Sequence, residues 1–365
     1  MKKKIRVTIL IIVGIGFISY FLYKNNITPL EDEALPCHFT IQDNSILTIG
    51  QKLDIPIAST EQINSIELRI GDSILSKWTK PSKLIHYELN SKAMHVGLFT
   101  LVLIAKTKDG NEIRDERTIQ ILSDIVPKKW GIKIINEYPH LDSSYTQGLA
   151  FQNNTLFEST GDPNTTGSSL VGEITLETGK INRRTGLDKT FFGEGITILG
   201  DKIFQITWKN QTCFVYNAPD FAKLKTFPYT GEGWGICNDG KYLIMSDGTD
   251  RLSYRDPETF ELLKTVDVYT NKGPITMLNE LEFIDGLVYA NIYTKNLIAV
   301  IDPKNGKVMA IIDATELVKR GKGTANGEVL NGIAYNSANR KTYMTGKFWP
   351  KLFEIEVLKT PVKDL

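Results

Sequence analysis

Cysteine and histidine are scarce in this chain, three of one and four of the other in 365 residues. Cys37, Cys213 and Cys237 cannot all pair, and their spacing matches no zinc site, so neither a disulfide framework nor a structural zinc is expected. Of the histidines only His140 lies near the repeats described below, which excludes a Ser-His-Asp arrangement there. An excess of charge is also lacking: the formal net charge is +1, which gives no general attraction to nucleic acid or to an anionic surface. Long apolar runs are lacking too, apart from Val7 to Tyr23. That run is preceded by Lys2, Lys3, Lys4 and Arg6, followed by Lys24, and has no small-x-small cleavage pattern at its end. Residues 1–24 are therefore expected to be an uncleaved signal anchor, with the basic flank inside and the remainder extracytoplasmic; secretion after cleavage is the alternative.

Residues 25–37, with Pro29 and Pro36, read as a linker. From 38 to 125 short alternating segments recur between Gly, Asn and Asp turns: Lys52 to Ile57, Ile66 to Ile70, Leu84 to Leu89, Gly97 to Ala105 and Thr118 to Leu122. That pattern predicts an Ig-like antiparallel β-sandwich. It carries no catalytic constellation.

Beyond Pro127 a phrase returns five times: Gln147-Gly148-Leu149-Ala150-Phe151, Glu194-Gly195-Ile196-Thr197-Ile198, Trp234-Gly235-Ile236-Cys237, Glu280-Leu281-Glu282-Phe283 and Asn331-Gly332-Ile333-Ala334-Tyr335. The intervals are 47, 40, 46 and 51 residues. A second series, Phe157, Phe204, Leu243, Tyr289 and Tyr343, runs in step with it. Repeats of this length in a strand-rich chain predict propeller blades. The expected fold class is all-β: a five-bladed β-propeller over 130–358, preceded by the sandwich and the membrane helix. The fifth repeat has three strands, and the alternating segment 131–138 is the expected fourth, closing the ring and removing its free edges.

In a propeller the innermost strands surround one axis, so equivalent positions become neighbours. The starts of the first strands supply Gln147, Glu194, Trp234, Glu280 and Asn331. The ends of the second strands supply Gly161, Trp208, Asp247, Tyr293 and Lys347. With Tyr145, Phe192 and Asn279 these make an aromatic wall with a few polar groups, the character of a small-ligand pocket. Glu194, between Gly193 and Gly195 and beside Phe192, is placed to lose solvent and gain a raised pKa, as a general acid/base requires; its bland reading is an axial hydrogen-bond anchor. The oxygens of Gln147, Glu194, Glu280 and Asn331 offer a hard cation such as calcium a possible axial site. Three readings follow: an acid/base enzyme, a metal-dependent propeller hydrolase, or a non-catalytic binding propeller.

Tyr145-Thr146-Gln147-Gly148-Leu149, Phe192-Gly193-Glu194-Gly195-Ile196-Thr197, Gly231-Glu232-Gly233-Trp234-Gly235, Leu278-Asn279-Glu280-Leu281-Glu282, Leu330-Asn331-Gly332-Ile333 and Thr345-Gly346-Lys347-Phe348-Trp349-Pro350 occur in order. Together they resemble the plant-type glutaminyl-peptide cyclotransferases, over about 130–358. The resemblance implies conversion of the N-terminal Gln of peptides or proteins to pyroglutamate with release of ammonia, with no required cofactor. It implies that Glu194 is the proton shuttle and that Gln147, Phe192, Trp208, Trp234, Asn279 and Lys347 bind substrate. Tyr145 and Tyr293 stand where that family usually has Phe and Trp, so the aromatic wall is kept while rate and preference are open. The oxyanion of the tetrahedral intermediate needs a donor, and an indole N–H, Asn279 or Lys347 is expected to supply it.

Overall fold

A computed structural model describes residues 35–323 and 326–359. The apolar run at 7–23 lies outside the described residues, and among those described no helix is long and apolar enough to cross a membrane. Among the described residues the protein is all-β, with one short α-helix, Thr315–Gly321, and a 3-10 turn at Ser91–Ala93.

The chain divides into two compact units whose segments interleave. Among the described residues, one takes 35–43 with 54–88 and 100–117; the other takes 44–53, 89–99 and those from Thr118 onward. In the smaller unit the strand Ile63–Ile70 pairs antiparallel with Ser73–Thr79 on one side and with Gly97–Thr107 on the other. Cys37–Phe39 pairs antiparallel with Lys52–Ser59. Alternation puts Ile55, Ile57, Ile66, Leu68, Leu101 and Leu103 inside, all fully buried.

The larger unit is propeller-like. Its first three sheets are four-stranded antiparallel meanders that start with Thr146–Gln152, Gly193–Leu199 and Ile236–Asn238. Tyr269–Thr270 and Gly273–Pro274 pair in a small two-stranded sheet, and eight further strands form one sheet, begun at one end by Leu278–Ile284 and at the other by Leu330–Asn336. The strand Lys128–Pro139 joins its two halves. Its first residues pair in parallel with the fourth meander, Ala310 opposite Lys128 and Ile312 opposite Trp130. Its remainder pairs antiparallel with Lys351–Leu358, from Lys351 opposite Pro139 to Leu358 opposite Gly131.

The five starting strands lie side by side in a closed cycle, each next to its successor and Leu330–Asn336 next to Thr146–Gln152. Five apolar layers follow one another round the cycle, four between sheets and one between the two halves of the eight-stranded sheet. Phe157 and Val171 meet Ile196 and Phe214. Phe204 and Val215 meet Ile236 and Met245. Ile244 and Leu252 meet Leu281 and Val288. Tyr289 and Ile298 meet Ile333 and Phe353. Tyr343 and Leu352 meet Leu149 and Leu156, which completes the circuit. Burial of this apolar surface supplies the main driving force.

The glycines of the repeated phrase have a physical cause. A Cβ on Gly148 would lie 2.6 Å from the backbone N of Ile196, and one on Gly195 would lie 2.8 Å from that of Ile236. The innermost strands approach backbone to backbone at these points, which only glycine permits.

Candidate active site

The starting strands are irregular where the site forms. Pairing with the second strand slips between Thr146 and Gly148, between Gly193 and Ile196, between Leu278 and Leu281, and between Leu330 and Ile333. These β-bulges contain Gln147, Glu194, the pair Asn279–Glu280, and Asn331. A bulge re-aims side chains that regular alternation would place elsewhere.

A second device recurs beside the bulges. The backbone N–H of Gly161 donates to Tyr145, that of Trp208 to Phe192, that of Tyr293 to Met277 and that of Lys347 to Val329, at 2.8–3.0 Å. Each bond ties the residue after a second strand to the residue two before the bulge. The repetition brings Trp208, Tyr293 and Lys347 to the same end as Gln147, Glu194 and Asn279.

Nine side chains meet there around a cavity of about 110 Å³: Tyr145, Gln147, Phe192, Glu194, Trp208, Trp234, Asn279, Tyr293 and Lys347. The polar members Gln147, Glu194, Asn279 and Lys347 are buried, and the aromatic members are half-buried. The cavity therefore has a polar floor and aromatic walls. Edge contacts join the walls: Tyr145 with Phe192, ring centroids 6.1 Å apart, Phe192 with Trp208 at 5.7 Å, and Trp234 with Tyr293 at 5.5 Å.

Burial pushes the Glu194 carboxyl well above the usual carboxylate range; the negative charge of Glu232 adds to this, and the ammonium of Lys347 opposes it. Burial brings Lys347 down to about 8, against the pull of Glu194 and Glu328. Its Nζ donates to Gln147 Oε1 and lies 4.2 Å from the centre of the Tyr145 ring. Asn279 Oδ1 is buried with no hydrogen-bond partner among the described residues.

Three sequence expectations change. The indole N–H groups of Trp208 and Trp234 are not free to stabilise an oxyanion. Both donate to Glu232 Oε2, at 2.7 and 2.9 Å. Glu280 and Asn331 do not line the cavity. Glu280 accepts the backbone N–H groups of Leu149 and Ile333, at 3.3 and 2.9 Å, and so ties three innermost strands together. Asn331 Nδ2 donates to the Thr146 carbonyl at 3.0 Å and to Gln147 Oε1 at 3.3 Å. Glu280 is thus taken by backbone donors, and the cation beside Gln147 is Lys347. Among the described residues no three His, Cys, Asp or Glu side chains group as metal ligands. Asp247, expected at the mouth, instead accepts from its own turn, from the N–H of Thr249 at 3.0 Å.

Glu232 was assigned no role from the sequence. Its position two residues before Trp234 was the available signal, but its second partner, Trp208, is far off in the chain. The His140–Glu158 pair was also unforeseen. His140 Nε2 lies 3.2 Å from Glu158 Oε1, with both side chains almost wholly buried, and Thr146 Oγ1 donates to the same carboxylate oxygen at 2.6 Å. The three cysteines are buried and free, and burial raises the thiol pKa of each.

A family model for glutamine cyclotransferases matches residues 104–357, and the chain belongs to that family. It is 40% identical over 238 residues to the glutaminyl-peptide cyclotransferase of Arabidopsis thaliana, a match that covers 64% of this chain and 73% of that protein. It is also similar to the crystal structure of Myxococcus xanthus glutaminyl cyclase, with 34% identity and a TM-score of 0.60 over 64% of this chain and 98% of that one. The family match begins at 104, within the segment expected as a sandwich, and so reaches further toward the N-terminus than the motifs did.

Proposed function

We propose that this chain converts the N-terminal glutamine of a peptide or protein into pyroglutamate and releases ammonia, with Glu194 carrying the proton. The observation that carries this reading is the meeting of Glu194 and Lys347 at the buried floor of an aromatic-walled cavity with room for little more than one side chain. The α-amine attacks the γ-carboxamide carbon, forming the ring C–N bond while the carbonyl oxygen becomes an oxyanion. A poorly hydrated site favours the neutral, nucleophilic amine. Glu194 takes the proton that the attacking nitrogen loses and delivers it to the departing nitrogen. The carbonyl re-forms and ammonia leaves. Lys347 and the Asn279 amide supply the donors for the oxyanion, since both indoles are engaged by Glu232. Gln147, itself held by Lys347 and Asn331, orients the substrate amide. The reaction is intramolecular, so holding the glutamine folded on itself provides much of the acceleration. The route uses no cofactor, and the charge a metal would neutralise is met by Lys347.

The same reading takes the five cyclic layers as those of a five-bladed propeller, the strands N-terminal to it as an Ig-like sandwich, and 7–23 as a membrane anchor. The enzyme then works outside the cytoplasm on peptides with free N-terminal glutamine. The test uses the full chain in detergent with a Gln-initiated peptide. Loss of one ammonia from the peptide is expected, and loss of this activity in Glu194→Gln with circular dichroism unchanged. Full activity in Glu194→Gln would remove the proposed shuttle. Recovery of the protein in the soluble fraction of cells, without detergent, would remove the anchor.

A further inference from the structure

A cavity of about 730 Å³ adjoins the glutamine site and is used by none of the chemistry above. Two loops contribute consecutive stretches to both spaces. Ser143 lines the second cavity and Tyr145 the first; Phe348 lines the second and Lys347 the first. The rings of Tyr145 and Phe348, 5.0 Å apart, form the ridge between them. Phe348 is held there in the left-handed region, φ +59°, by its N–H bond to the Ser144 carbonyl at 2.8 Å. A side chain other than glycine occupies that region at some cost, which surrounding contacts must sustain.

The second cavity is charged on one side only. Asp142 and Glu328 line it with Ser143, Asn164 and Asn326, and among the described residues that line it there is no Lys, Arg or His. Glu328 is fixed through its backbone: its N–H donates to the Lys347 carbonyl at 2.9 Å, and its own carbonyl accepts Trp349 Nε1 at 3.0 Å. Burial, and after it the charge of the Glu328 carboxylate, raise the pKa of the Tyr145 phenol. Beside Trp208 of the first cavity, Lys209 lies 3.8 Å from Glu232 and 4.1 Å from the ring centre, so a cation and an anion stand together there.

A cavity of about 110 Å³ cannot hold a peptide beyond its first side chain. The second and third residues must leave across the mouth. We propose that they cross the Tyr145–Phe348 ridge into the second cavity, and that Asp142 and Glu328 there select substrates with a lysine or arginine at the second or third position. This rests on the reading that the first cavity holds the glutamine. The whole-molecule charge of +1 offers no general attraction for a cationic peptide, so a preference of this kind reports the local field.

The test measures kcat/KM of the full chain on C-terminally amidated peptides that differ only in carrying Lys, Ala or Glu at the second, then the third, position. Lys over Glu by about tenfold at low salt is expected at one of them, narrowing as salt screens the pair. Asp142→Asn is expected to reduce that ratio about threefold, and Asp142→Asn with Glu328→Gln to bring it near unity. Equal rates on the three peptides, or a ratio unchanged in the double variant, overturns the proposal while leaving glutamine cyclisation standing. Failure on every peptide, the alanine one included, overturns the underlying reading and this one with it.

Discussion

Lys347 Nζ sits over the Tyr145 ring at 4.2 Å and donates inward to Gln147, so this buried cation is held between an aromatic face and the floor of the site. Replacing it by methionine keeps the bulk and removes the donor to the oxyanion. Lys347→Met is expected to lower kcat by on the order of a hundredfold or more, with a smaller change in KM, as for other oxyanion donors. Because Lys347 titrates at about 8, the parent kcat should decline as the pH rises through that value. A KM effect alone would place Lys347 in ground-state binding only.

Glu232 joins two walls by accepting both indole N–H groups, and its charge also helps to raise Glu194. Glu232→Gln removes the charge and leaves a single carbonyl acceptor. The acid limb of the pH–rate profile should move to lower pH, since Glu194 then loses its proton more easily, and kcat/KM should fall about tenfold as the indoles loosen. A reduced rate with an unmoved acid limb would limit Glu232 to positioning the walls.

Gly161 lies beneath the wall: a Cβ built on it would overlap the rings of Phe192 and Tyr145. Gly161→Ala is therefore expected to push both aromatics into the cavity. Activity should drop at least tenfold while the melting temperature changes little, because the displaced rings border open space rather than core. Kinetics and calorimetry on one preparation check this. A large fall in melting temperature with normal kcat/KM would contradict it.

His140 gives the fold a pH dependence separate from catalysis. Burial, the largest influence, disfavours its charged form, but the Glu158 carboxylate and the Trp349 carbonyl outweigh it and raise the pKa above 6.5. A raised folded-state pKa stabilises fully below the ordinary value, and this contribution is lost as pH rises through the folded value. The parent should lose stability between neutral and alkaline pH more steeply than His140→Gln. The variant should be less stable at pH 6 by about 3 kcal/mol, since it leaves the Glu158 charge buried without a cation. Denaturant titrations at pH 6 and pH 9 measure both; parallel pH slopes would exclude the pair as their cause.

The residues that were legible in the sequence are those whose role depends on position within a repeat. Gly148, Gly195 and Gly235 recur because each innermost strand crowds its neighbour, and Phe157, Phe204 and Tyr289 recur because each layer round the cycle needs filling. From that period the nine cavity residues could be placed at one end of the ring. The bulges at Gln147 and Glu194 were not legible, because a bulge is a mismatch between two strands and neither strand records it alone. The same holds for Glu232, whose partners lie on different sheets, and for Lys128–Trp130, whose pairing with Ala310–Ile312 follows no local signal. Glu280 and Asn331 were assigned to the axis for their oxygens, but backbone donors had a prior claim on Glu280, and Asn331 is held through its amide N–H groups by Thr146 and Gln147.

The strand Lys128–Pro139 leads directly into the loop carrying Tyr145 and Gln147, and its partner Lys351–Leu358 directly follows the loop carrying Lys347. The two segments are more than two hundred positions apart, so their pairing is the most distant contact the catalytic unit has to make and is expected late in folding. Until that seam zips, Glu194 has no ammonium beside it and the glutamine no cradle. Assembly of the site from Glu194 and Lys347 is therefore expected to coincide with closure of this seam.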